Sequence, residues 1–133
     1  MRILIVDDDP AVGDYLKKLV QEMGCSPMVA ETGHKAKVLF ETEPADMVLL
    51  DLVLPDMPGQ SLIPKFREIS PDADVVTMTG YNSETLEKEA RRMGVTYYLV
   101  KPHEFKNLTL LIEHMKTRKT YVGGTHDRRN NTG

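Results

Sequence analysis

The sequence predicts an α/β fold in which one parallel sheet is covered by helices on both faces. Three observations support this: five short apolar runs of strand length, a helix-forming segment after each, and caps or breakers at the joints. Residues 2–6 (RILIV) are continuously apolar, as in a strand buried on both sides. Asp9-Pro10 reads as an N-cap acid followed by proline at the first helical position. That helix carries Val12, Leu16, Leu19, Val20 and Met23 on one face and stops at Gly24. A second strand covers about 26–30. Thr32 opens a second helix with Ala36, Leu39 and Phe40 inward, ending before Pro44.

MVLLDL (47–52) is the third strand and the most hydrophobic run in the chain. The loop LPDMPG leads to a helix through about residue 69, whose first turns Pro64 is expected to shorten or bend. DVVTMT (74–79) is the fourth strand, and Ser83 caps a helix from Glu84 to Met93 that Gly94 stops. VTYYLV (95–100) is the fifth strand, followed by a helix from about Glu104 to Lys119. The polar segment 120–133, with Gly123-Gly124, reads as a linker or tail.

A chain of 133 residues is one domain's worth and needs no disulfide or metal staple. Its net charge of −3 provides no positive field for nucleic acid or anionic membrane, and Arg128 and Arg129 are too few to change that. The single cysteine, Cys25, cannot form an internal disulfide and reads as a small buried residue. The apolar run at the start is too short for a signal peptide, and no stretch reaches the ~20 residues of a membrane span. A cytoplasmic protein is the expectation. His34, His103, His114 and His126 lack the spacing of a transition-metal site.

Function is written where the strands end. Ligands of open α/β sheets bind at the carboxyl ends of the strands, beside a switch in strand order. Here those ends carry Asp7 and Asp8, Asp51, Thr79 and Lys101. Taken singly, each has a plain reading as a helix cap, a solvated lysine or a strand threonine. Together they converge on one edge. Three carboxylates in close quarters need a compensating cation, and Mg2+ suits them because it leaves coordination positions for phosphate oxygens. An ammonium and a hydroxyl beside them complete the parts for phosphoryl transfer to an aspartate.

The motifs ILIVDDD, LLDLVLPDMPG, VVTMTGY and YYLVKP, in this order, resemble the receiver domains of two-component response regulators over about residues 1–119. The resemblance implies a flavodoxin-like (βα)5 fold with strand order 2-1-3-4-5. It implies Asp51 as phosphoacceptor, Asp7, Asp8, Asp51 and the Val53 carbonyl as Mg2+ ligands, and Lys101 as partner of Asp51 and later of its phosphoryl group. Thr79 and Tyr98 resemble the family's switch pair, and the Lys101-Pro102 bond is expected cis. A histidine kinase or phosphotransfer protein would donate the phosphoryl group, with no turnover of a separate substrate. The altered surface would be helix four, strand five and helix five, with Glu84, Glu87, Lys88, Arg91 and Arg92 as candidate exposed positions and a homodimer through that face as one use.

Four features depart from the common pattern, of which His103, where an aromatic is frequent, and Pro64 in the third helix do not touch the chemistry. Val53 is apolar where many members are polar, and Tyr81 is bulky, so slow self-dephosphorylation is expected. Two other readings stay open on the residues alone. One is an aspartate-nucleophile phosphatase of the haloacid-dehalogenase type, although Val53 stands where that family has a second acid and the chain leaves no room for a cap. The other is a pseudo-receiver that binds partners without phosphorylation, which the intact acidic set argues against.

Overall fold

The computed structural model describes residues 1–81 and 83–124. The five apolar runs become β1 (Arg2–Val6), β2 (Ser26–Ala30), β3 (Met47–Asp51), β4 (Asp74–Thr79) and β5 (Tyr97–Val100). All pair in parallel, in the order β2-β1-β3-β4-β5. The expected fold class and strand order are therefore those observed. Every residue of β3 and β4 is buried, which is why neither shows polar alternation in the sequence.

The helices are α1 (Pro10–Glu22), α2 (Gly33–Thr42), α3 (Ile63–Ile69), α4 (Glu84–Arg92) and α5 (Leu108–Gly124). Ile3, Ile5, Leu49, Val76, Met78 and Leu99 point to one side, where they meet Leu16 and Val20 of α1 and Leu108, Ile112 and Met115 of α5. The alternate residues Leu4, Val6, Val48, Leu50 and Val75 meet Ala36 and Phe40 of α2 and Ile63 and Phe66 of α3. A smaller cluster joins Ala90 of α4 to Leu52 and Tyr98. Cys25 is buried just before β2, in the α1/α5 cluster.

The caps are those the sequence signalled. Asp9 accepts from the Ala11 N–H at 3.0 Å, Thr32 from Lys35 at 3.1 Å and Ser83 from Leu86 at 3.1 Å. Gly24 and Gly94 follow α1 and α4 with φ of 77° and 82°, a left-handed conformation that favours glycine.

Three boundaries, the start of β5 and both ends of α5, differ from expectation by two residues or more. A 3-10 turn, Gly59–Leu62, precedes a short α3, the shortening expected of Pro64, which lies in the first turn of α3, where its missing N–H is unneeded. β5 starts at Tyr97, not Val95, because the Thr96 hydroxyl turns to Asp74 (3.3 Å) and to the Val75 N–H (3.2 Å). The last helix does not start at Glu104: a 3-10 turn, His103–Asn107, precedes α5 while the Glu104 carboxylate accepts the Val100 N–H at 2.8 Å. α5 then continues through Gly124, five residues beyond the expected end at Lys119. The rest of the expected tail, residues 125–133 with His126, Arg128 and Arg129, lies outside the described residues.

Charged side chains tie the far edge of the sheet. Arg118 of α5 pairs with the largely buried Asp74, and Lys116 donates to the Met23 carbonyl at the end of α1 at 2.7 Å. Among the described residues, no helix is long and apolar enough to cross a membrane.

Phe66 packs on Phe40 with ring centroids 4.6 Å apart, and neither ring is exposed. Phe66→Ala should destabilise the domain by about 3–5 kcal/mol, a large part of the roughly 5–15 kcal/mol available to a small domain. The shift of the urea unfolding midpoint measures it.

Candidate functional site: an acidic pocket at the switch in strand order

The chain leaves β1 toward β2 on one side and returns to place β3 on the other, so the crevice opens above the ends of β1 and β3. Register fixes what lines it. Val6 lies beside Leu50, which brings the next residues, Asp7 and Asp51, level with each other. Asp51 in turn pairs with Met78, and Thr79 with Val100. By strand alternation Asp7, Asp51 and Lys101 follow the α1/α5 side, whereas Thr79 and Tyr98 follow the side that carries α4.

Asp7 and Asp51 are almost fully buried, while Asp8 is exposed at the rim. One carboxylate oxygen from each of the three lies within 4.8 Å of the others. The Lys101 ammonium sits between two of them, donating to Asp7 Oδ2 at 2.8 Å and Asp51 Oδ2 at 3.1 Å. The remaining oxygens accept backbone donors: Asp7 Oδ1 from the Asp9 N–H at 2.9 Å, Asp51 Oδ1 from the Val53 N–H at 3.0 Å. Both carboxylates are thus oriented at each oxygen.

Burial pushes the Asp51 carboxyl above the ordinary aspartate pKa, and the charge of Asp7 adds to this. The Val53 N–H and Lys101 oppose the rise without cancelling it. For Lys101, burial favours the neutral form. The hydrogen bond to Asp7 and the charges of Asp51 and Asp7 prevail, so its pKa rises and it stays an ammonium. Three carboxylates against one ammonium leave a negative pocket of hard oxygen donors, which is the chemistry of a Mg2+ or Ca2+ site rather than of zinc.

Over residues 3–113 the chain matches the family described as Response regulator receiver domain. The chain belongs to that family. Among curated relatives, the photosynthetic apparatus regulatory protein RegA of Rhodovulum sulfidophilum is 34% identical over 107 residues, 80% of this chain and 58% of that protein. The transcriptional regulatory protein QseB of Escherichia coli O157:H7 is 31% identical over 118 residues, 89% of this chain and 54% of that protein. The receiver therefore spans about half the length of these relatives. Among solved structures, a CheY-like response regulator receiver domain protein from Methanospirillum hungatei JF-1 superposes with a TM-score of 0.81. It is 30% identical, with coverage of 90% of this chain and 97% of that one. TrrA from Thermotoga maritima, solved in complex with Mg(2+)-BeF, gives a TM-score of 0.75 at 30% identity, with coverage of 86% and 97%.

The receiver's remaining candidates are set differently from the acid–lysine group. Thr79 is fully buried at the same edge, but its hydroxyl donates to the Tyr81 carbonyl and accepts the Tyr81 N–H, both at 3.0 Å. Tyr98 is buried against Leu52 and Ala90. Burial pushes its phenol pKa up, against a hydrogen bond at the Ser83 backbone, and the charges of Glu87 and Glu104 push the same way as burial. Val53 and Tyr81 are 62% and 71% exposed, just past the ends of β3 and β4. On α4, Glu84, Lys88, Arg91 and Arg92 are exposed; Glu87 is half-buried and pairs with Arg91 at 2.7 Å. The Lys101-Pro102 bond is cis, as expected.

Sequence reading passed over two acids near the site. Glu104 holds the strand end before Lys101 through Val100, and Asp56 holds the loop after Asp51 through α2. Asp56 lies within the LLDLVLPDMPG motif and Glu104 at the expected start of the last helix, but neither position shows its role, because each acts on backbone that folding brings close.

With its raised pKa, Asp51 binds its proton more tightly in the folded domain than in the unfolded chain. Stability therefore falls as pH rises through the interval between the two pKa values, and the penalty is complete above it. Without divalent cations, Asp51→Asn should be at least as stable as wild type at pH 7. The difference should close as pH drops into the ordinary carboxylate range. Thermal melts in chelated buffer check this; a variant less stable at pH 7 would mean that attraction to Lys101 outweighs burial.

Proposed function

We propose that this receiver is a phosphorylation-controlled switch in which Asp51 accepts a phosphoryl group from the phosphohistidine of a partner kinase or phosphotransfer protein. The observation that carries the reading is Asp51 itself: a buried carboxylate at the end of β3, oriented at both oxygens and set among Asp7, Asp8 and Lys101. In the reaction an Asp51 oxygen attacks phosphorus, the bond from phosphorus to the imidazole nitrogen breaks, and the imidazole leaves with that electron pair.

The donor set fits Mg2+. Asp7, Asp8, Asp51 and the Val53 carbonyl would hold it, and it would neutralise charge on the transferring oxygens. Lys101 holds Asp51 in place before transfer and then pairs with the new phosphoryl oxygens, releasing part of its hold on the carboxylate. The Thr79 hydroxyl gives up its bonds to the Tyr81 backbone and donates to a phosphoryl oxygen. That rearranges the loop ahead of α4, and Tyr98 packs behind it. The result is an altered α4, β5 and α5 surface, read by an output domain, a partner or a second copy of the chain. Because longer relatives include named transcriptional regulators, control of transcription in the cytoplasm is the output we favour.

Incubation with Mg2+ and acetyl phosphate, followed by intact mass measurement, should show a gain of one phosphoryl group in wild type and none in Asp51→Asn. Multiple turnover of phosphate esters would favour the phosphatase reading, and no modification at all a pseudo-receiver. Mg2+ at about a hundred times its Kd should add about 2.7 kcal/mol to folding stability, read from melting curves, and much less in Asp51→Asn.

Val53 and Tyr81 are both exposed, and in this reading they border the approach of a hydrolytic water without helping to orient it. Val53→Asn and Tyr81→Ala should each shorten the phosphate lifetime several-fold, measured as loss of the phosphorylated mass with time. Equal lifetimes would overturn this role.

A further inference from the structure

The loop after the phosphoacceptor is not free-standing. At its base, Val53 forms an isolated antiparallel bridge with Pro58, and the Gly59 N–H donates to the Leu52 carbonyl at 3.0 Å. Glycine is required at 59, since a side chain there would run into the Asp51 carbonyl. The tip of the loop is clamped to a different element. Asp56 spends both carboxylate oxygens on the start of α2, accepting the Gly33 N–H at 2.8 Å and the His34 N–H at 3.0 Å. Met57 lies directly over Gly33, where any Cβ would overlap its thioether.

We propose that Asp56 is a positioning residue that sets the divalent-cation affinity of the phosphoacceptor site by clamping the loop that carries Val53 to the N-terminus of α2. The inference rests on the Mg2+ site proposed above and extends it to a residue outside the ligand set. Val53 contributes its N–H to Asp51 and, in that reading, its carbonyl to the cation, so its backbone must be held at both ends. The base hydrogen bonds fix one end. Asp56 fixes the other, five residues past Asp51, through two charge-assisted bonds to amides that α2 cannot satisfy itself. Those donors, Gly33 first, hold the Asp56 carboxyl below the ordinary aspartate pKa, so the clamp stays closed at neutral pH even though the side chain is exposed.

α2 has a second, separate cap, which supplies the control. Thr32 accepts the Lys35 N–H at 3.1 Å, and its side chain has no hydrogen bond to the loop among the described residues. Asp56→Ala and Thr32→Ala both remove a cap from α2, each at a cost of about 1 kcal/mol, but only the first releases the loop. The experiment is calorimetric titration with Mg2+, well below the melting temperature, on wild type, Asp56→Ala, Asp56→Asn and Thr32→Ala. Alongside it, amide hydrogen exchange is followed at Val53 and Leu54.

The expected result is a Mg2+ Kd raised about tenfold in Asp56→Ala, the low end for loss of an outer-shell partner, with faster exchange at Val53. Asp56→Asn, which keeps an acceptor, should fall between wild type and Ala, and it serves as the test if the Ala variant folds poorly. Thr32→Ala should bind like wild type. Wild type that binds Mg2+ while both Asp56 variants bind equally well overturns the clamp alone. An equal loss in Thr32→Ala also overturns it, by showing that α2 stability is what matters. Wild type that binds no Mg2+ removes the cation site, and the clamp's role with it.

Discussion

One ammonium holds the site together. Lys101 reaches from the end of β5 to the carboxylates at the ends of β1 and β3, across the strand between them, at 2.8 and 3.1 Å. Without it two buried carboxylates would face each other with only backbone donors, and leaving a buried charge unpaired costs about 3–5 kcal/mol. The pair is not a strong source of stability in return, because burial raises the Asp51 pKa despite the lysine beside it. The arrangement keeps a reactive carboxylate in one orientation while leaving it short of compensating charge. That deficit suits the pocket to a divalent cation and, in the function proposed, to a phosphoryl group.

The fold supplies this geometry by making the sheet very regular and the loops very specific. Interior strands buried along their whole length leave register no freedom, since a one-residue slip would turn Asp51 into the α2/α3 core. The loops then carry the exceptions. Gly59 allows close approach to the Asp51 carbonyl, Asp56 grips α2, and Glu104 bends back to Val100. Each lies within eight residues of the end of β3 or β5, on a loop whose backbone movements translate into the position of a site atom.

Strand alternation also divides the labour. The acids and Lys101 follow the α1/α5 side, while Thr79 and Tyr98 follow the α4 side. Thr79 thus stands between the acid–lysine group and α4, with its hydroxyl bonded to the Tyr81 backbone in the structure described here. A change of partner at one buried hydroxyl is a small event. In the proposed switch it would occur at the root of the loop leading to α4, a short helix whose exposed face carries paired charges and whose buried contact is chiefly Ala90. An element with so little buried area is easily repositioned.

Asp51 could be recognised from the chain alone because its environment is local: an acid ending the most apolar run, with acids, a threonine and a lysine at the ends of three other runs. Periodicity, caps and breakers likewise sufficed for the five strands, for the face of α1, and for the stops at Gly24 and Gly94, since short-range sterics and burial govern them. Where a long-range partner intervened, the chain could not announce it. Thr96 leaves the expected strand for Asp74, Glu104 leaves the expected helix for Val100, and Asp56 finds α2 more than twenty residues away in sequence. Sequence by itself determined which residues are the candidates for the site, because their types and their places at the ends of apolar runs can be read along the chain. Only the tertiary structure decided how Lys101 divides itself between Asp7 and Asp51, which way Thr79 faces and what holds the Val53 loop. Those outcomes depend on distances between segments that touch only once the sheet has closed.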